Sequence, residues 1–325
     1  MKTIVPIVRT AALAFVFAFL SYTTSAQALT LRNGKVEIGL GLGPSFFLGD
    51  LGGQRGIGQP FIKDINIPLT KLSKGLYVNL YPAEWIGFRV SANHTVLEGD
   101  DAEIDNKGGR EVSRLRRNLY FKSSVIEGYA AFEIYPTVPF ERYDGLRGKF
   151  RPYGVIGAGV FHFNPKGYYY GPNGAKSLVE LQPLHLEGQG FPEYPERKNY
   201  SLTQLEIPMG FGFKYYIKEN MYVGMEVLHR KLFTDYVDDV STTYIDPIYF
   251  DQHLTPEQAT MARQLYNRTP LIQPTYRTDV TGLQRGDPKD NDAFFSTVLR
   301  FGWRLNGNNT PSGRARMQLR CPKYF

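Results

Sequence analysis

The segment FSTVLRFGWRL (295–305) decides how the rest of the chain is read. Phe295, Thr297, Leu299, Phe301, Trp303 and Leu305 fall on one side of an extended strand, and Ser296, Arg300, Gly302 and Arg304 on the other. Side chains alternate across a strand, so this stretch has one apolar face and one charged face. In a soluble sheet the apolar face is buried. In a membrane barrel lipid covers that face and the charges are enclosed.

Seven further segments fit the same template. Met221, Val223, Met225 and Val227 oppose Tyr222, Gly224 and Glu226, and a tight Lys218-Glu219-Asn220 turn leads into them. Before that turn, Leu205, Ile207, Met209, Phe211 and Phe213 oppose Glu206, Gly210, Gly212 and Lys214. Candidates at 35–48, 75–81, 86–96 and 121–135 repeat the alternation, whereas 151–163 is glycine-rich and ambiguous in register. The links after the second, fourth and sixth candidates are shorter; those at 49–73, 97–118, 164–199 and 234–292 are long. Short periplasmic turns and long outer loops mark outer-membrane barrels. The expected fold is all-β, an eight-stranded antiparallel transmembrane β-barrel over 29–306, placed in the cell outer membrane among its lipid.

An eight-stranded barrel is only wide enough inside to be filled by side chains. The inward set is Glu37, Arg89, Glu127, Glu133, Glu206, Lys214, Glu226, Arg300 and Arg304, with both signs in similar number. Mixed charges can pair, so we expect a lumen charge network that plugs the barrel and no catalytic carboxylates. Gly39, Gly41 and Gly43 recur on the same inward face, where they relieve crowding.

Other chemistry is poorly represented. The five histidines, His94, His162, His185, His229 and His253, lack the spacing of a metal site. Ser241, His229 and Asp235 offer the groups of a rim hydrolase without a spacing that recommends it. A net charge of +7 is too mild to point to nucleic acid. The expectation is a protein that is not an enzyme, with no cofactor, no metal and no small-molecule substrate.

The ends read differently from the middle. An apolar run from Ala11 to Leu20, preceded by Lys2 and Arg9 and followed by small residues, predicts a signal peptide over 1–28. Residues 254–267 predict a short helix, because Thr255-Pro256-Glu257 supplies a cap and a proline at the first turn. A basic periplasmic tail over 307–325 carries Arg314, Arg316, Arg320 and Lys323. Cys321, the one cysteine, has no internal partner, which leaves an intermolecular bridge or a free thiol.

Five separated stretches, GPSFFLGDLGG (43–53), RPYGVIGAGVFHFNP (151–165), KLFTDYVDDVSTTY (231–244), RGDPKDND (285–292) and RCPKYF (320–325), resemble the PorG family of outer-membrane proteins. That family belongs to the type IX secretion and gliding machinery of Bacteroidetes. The resemblance implies a non-enzymatic barrel that tethers the periplasmic ring of the machine, a lipoprotein and its partner, to the outer membrane. It also implies a mixed disulfide from Cys321 to the ring lipoprotein. A surface receptor or adhesin that binds ligands through the outer loops is the alternative.

Overall fold

Antiparallel pairing runs in a closed circuit through eight strands. The computed structural model describes residues 35–51, 69–104, 111–141, 145–275 and 279–305. Within them the strands are β1 (Val36–Leu48), β2 (Lys71–Ala83), β3 (Ile86–Asp100), β4 (Tyr120–Ile134), β5 (Phe150–His162), β6 (Pro165–Tyr170), β7 (Lys176–Glu180), β8 (Thr203–Lys218), β9 (Met221–Leu232) and β10 (Ala293–Leu305). Each barrel strand pairs with its neighbour, and β1 pairs with β10 to close the cylinder. Hairpin β6–β7 hangs from β4 outside the circuit.

The register fixes the shape. From Leu42, paired residues run through Lys74, His94, Ile126 and His162 to Thr203 on β8. In the other direction they run through Leu299 and Met225 to Phe213 on the same strand. The two arrivals differ by ten residues (213 − 203). With strands about 4.8 Å apart and a rise of about 3.3 Å per residue, that stagger tilts the strands by about 40°.

Polarity is inverted relative to a soluble protein. Leu76, Phe211 and Leu205 point outward at 67%, 64% and 63% exposure, while Glu37, Glu133 and Lys214 are 0% exposed inside. Water would make that arrangement ruinous, and a bilayer makes it stable. The chain is an outer-membrane β-barrel, with its long links at the outer end and its short turns at the periplasmic end.

The outer end departs from the sequence reading in two ways. First, the loops hold more structure than the one expected helix: helix α1 (Glu111–Arg117), the β6–β7 hairpin and α2 (Ile248–His253) form in addition to that helix, which is present as α3 (Pro256–Tyr266). Strands β2 and β3 also reach further outward, where Lys71 on β2 and Lys122 on β4 pair with Glu98 at 3.0 and 3.8 Å and the apolar alternation fades. Second, the loops and upper strand ends hold a hydrophobic core that strand alternation does not predict. Leu184, Leu186, Val237, Val240, Ile245 and Phe250 from the loops pack with Phe121, Phe161 and Phe294 from upper strand ends into one hydrophobic core. Inward positions change from charged to apolar toward the outer rim, so the loops seat in the barrel mouth as a folded cap.

Candidate functional site: a filled lumen under a folded cap

Each of the eight barrel strands sends one polar side chain to a common level inside the barrel. They are Glu37, Asn79, Arg89, Glu133, Tyr153, Lys214, Glu226 and Arg300, all buried. Lys214 Nζ lies 2.7 Å from Glu37 Oε1 and 3.1 Å from Glu133 Oε2. Arg89 Nε donates to Glu133 at 2.6 Å, and its Nη1 donates to Glu226 at 2.9 Å. Glu226 Oε2 also accepts from Arg300 Nη1 at 2.7 Å and from the Tyr153 hydroxyl at 2.6 Å. Asn79 Nδ2 bridges Glu37 and Glu133 at 3.0 and 3.1 Å. The result is a continuous disc of hydrogen bonds across the barrel.

Two smaller groups flank the disc. Toward the outside, Arg230 Nε donates to Glu127 at 3.1 Å, and Glu206 is buried beside that pair. Between this group and the disc is a cavity of about 20 Å³ lined by Arg89, Glu226, Arg230, Arg300, Tyr77 and Ser296, room for about one water. Toward the periplasm, Arg304 and Arg151 hold Glu84 at 3.0 and 2.9 Å. Arg151 also reaches Glu141 at 2.7 Å. Burial alone would raise the Glu84 carboxyl, but the two guanidiniums bring it down to about 2. Glycine makes room for the disc: a Cβ on Gly39 would lie 2.1 Å from the Tyr77 hydroxyl.

Sequence reasoning identified the inward strand carboxylates and their cations and placed Tyr222 on the inward face, but missed Arg230, Arg151 and Asn79 and the part that the lumen tyrosines take in the hydrogen-bond network. Arg230 lies past the last alternating residue read at the end of that strand, and tyrosine reads as apolar until its hydroxyl finds a carboxylate. Cys321, Arg314, Arg316, Arg320 and Lys323 lie outside the described residues, as does the 1–28 leader.

In the cap, carboxylates serve the loop backbone. Glu187 accepts from the Ser241 and Thr242 amides at 3.0 and 2.9 Å and from Arg285 Nη1 at 2.8 Å. Asp238 accepts from the Leu51 and Val240 amides at 3.1 and 3.0 Å. Asp292 accepts from the Val237 amide at 2.8 Å, and Asp50 from the Asp287 amide at 2.8 Å. The described parts of three of the five stretches quoted above, 43–51, 231–244 and 285–292, therefore meet in one packing unit. Burial pushes Asp235 up to about 8, with Asp50, Glu187 and Asp287 adding to the rise against the Ser241 side chain. Burial likewise lifts Asp239 to about 7 despite Arg285 and Tyr200 beside it. Asp238 is raised well above the carboxylate range by burial and by the nearby Asp50 and Asp235, and Asp292 by burial and by Asp238 and Asp235.

The rim trio does not assemble: Asp235 and Ser241 are buried in the cap, while His229 lies at an outward position of β9, level with Met209 and Phe295. Among the described residues, no group of three His, Cys, Asp or Glu side chains is arranged to hold a metal ion.

No protein-family model matches the chain, and no curated protein does. Solved structures do. Ail, the attachment invasion locus protein of Yersinia pestis, crystallised with the heparin analogue sucrose octasulfate, is similar at 8% identity and a TM-score of 0.33, over 83% of this chain and 98% of that one. Neisserial surface protein A (NspA) is similar at 8% identity and a TM-score of 0.33, over 83% and 97%. The outer membrane protein OprG of Pseudomonas aeruginosa is similar at 11% identity and a TM-score of 0.35, over 85% and 100%.

Proposed function

We propose that this chain is a non-enzymatic anchor that tethers the periplasmic ring of a type IX, gliding-associated, protein secretion machine to the outer membrane. The observation behind the anchor reading is the disc joining all eight strands, which leaves the lumen no passage for solute and gives the barrel a rigid middle. The choice of machine rests on the resemblance of five stretches, three of which knit the cap. In this reading the basic tail over 307–325 reaches the ring lipoprotein and its partner, and Cys321 makes that attachment durable through a mixed disulfide. Non-reducing electrophoresis of cell envelopes tests it. A heavier adduct that contains the ring lipoprotein and vanishes in Cys321→Ser is expected; a band that runs only as monomer, with no ring component cross-linked to it, contradicts the tether.

A second reading, a surface receptor or adhesin, is favoured by one feature of the cap. Its loops are folded on a core that they share with the upper strand ends, yet Leu271 and Ile272 stand 49% and 51% exposed at the outer surface. If the cap binds a ligand there, Leu271→Ser with Ile272→Ser abolishes cell attachment and leaves secretion intact. The tether reading expects both to be unchanged.

A further inference from the structure

Three histidines that look scattered in sequence fall in one zone of the outer barrel wall. His94 on β3, His162 on β5 and His229 on β9 all occupy outward positions of the alternation. Lys74 pairs across from His94, and Lys231 lies two residues beyond His229. Given the tilt, each step to a neighbouring strand along the register changes height by about 3 Å, and each residue along a strand by about 2.5 Å. Those increments put all five basic residues within about 10 Å of one another in height.

At the other end, Trp303, Tyr215 and Phe150 point outward at 53%, 44% and 57% exposure. The same increments place this aromatic ring roughly 20 to 25 Å below the basic level, the height of an outer-membrane apolar band. Aromatic girdles mark the bilayer interface, so the basic level coincides with the outer headgroups. A lysine in hydrocarbon would be costly, but at the headgroups it meets anions. No acidic residue occupies an outward position on any barrel strand until Glu98, which is higher up and already shared by Lys71 and Lys122. His94 Nε2 and His162 Nδ1 are steadied by the Ser124 and Thr203 hydroxyls at 2.9 and 3.0 Å.

We infer that Lys74, His94, His162, His229 and Lys231 form a collar that binds the phosphate groups of phosphorylated lipids in the outer leaflet. The ligand is the lipid headgroup and not free phosphate, because the collar lies on the outer wall at the headgroup level, at the upper edge of the band that the acyl chains cover. It ties the barrel to its leaflet from outside, independently of any periplasmic partner.

Native mass spectrometry of the full chain in detergent tests this, with diphosphoryl lipid A, its dephosphorylated form and inorganic phosphate as probes. The diphosphoryl form is expected to bind at least tenfold tighter than the dephosphorylated form. Each cation near a charged headgroup layer contributes roughly a fivefold factor, so Lys74→Ala with Lys231→Ala should weaken binding by roughly twenty-five-fold. These side chains point away from the lumen, and unchanged heat-modifiable migration on gels will show that the variant barrel is folded. Equal binding of the two lipid forms, or a variant as tight as the parent, overturns the collar. Displacement of the lipid by millimolar inorganic phosphate overturns its assignment to a lipid ligand.

Discussion

Glu133 links five partners: it accepts from Arg89, Asn79, Lys214, Tyr135 and, at 3.4 Å, Arg300. Removing one member of a buried ionic group leaves the others unpaired, which costs about 3–5 kcal/mol. Glu133→Ala should therefore lower stability by about that amount, read from the urea midpoint of the barrel refolded in lipid vesicles. A shift below about 1 kcal/mol, the range of exposed pairs, would mean that the disc is not the rigid middle described here. Residues in the cap respond to pH in the opposite sense to Glu84. Asp235 and Asp239, raised to about 8 and about 7, keep protons in the folded cap that the unfolded chain has already released. Their contribution is whole below about pH 4, falls as pH rises, and is gone above about 8. Glu84, held at about 2, contributes above its usual range and is lost only as pH falls toward 2, outside that window. Limited proteolysis of the loops should thus be faster at pH 8.5 than at pH 5, and Asp235→Asn should flatten the difference; a wild-type rate that falls with pH would contradict the assignment.

At the scale of elements, the helix read from Thr255-Pro256-Glu257 is present as α3. Thr255 accepts from the Gln258 amide at 3.3 Å, and the Gln258 side chain returns a bond to the Thr255 amide at 3.3 Å. The helix buries Ala259, Ala262, Leu265 and Tyr266 in the cap core, and Gln264 bonds both backbone groups of Tyr170 on β6 at 2.7 and 3.1 Å. Loss of the cap residue in Thr255→Ala costs about 1 kcal/mol. It should speed cleavage within 234–292 several-fold while the urea midpoint of the barrel stays fixed; equal loss in both would mean that cap and barrel unfold together. The barrel strands were legible because lipid on one side and a charged lumen on the other impose strict alternation. The β6–β7 hairpin was not, because its tyrosines lie half-buried against the cap and show no two-sided pattern. Stretches such as LQPLHL (181–186) carry no period either, since 3₁₀ turns and bends put Leu181, Leu184 and Leu186 into the core together.

For the whole molecule, the inward and outward faces could be read from sequence, but the partners across the lumen could not. Glu37 meets Lys214 only because the ten-residue stagger brings β1 and β8, which are not neighbours in the circuit, to the same level. The cap was hidden for a similar reason, since its core joins residues 46 to 237 positions apart through Asp238, Asp50 and Arg285. The account stands on a barrel turned inside out, greasy outward and closed by paired charge within. Planar-bilayer recording tests that most directly, using vesicle-folded protein whose insertion is verified by its heat-modifiable migration. The predicted result is a membrane no more conductive than lipid alone at any voltage the bilayer survives, and discrete, reproducible current steps from the wild-type chain would contradict it.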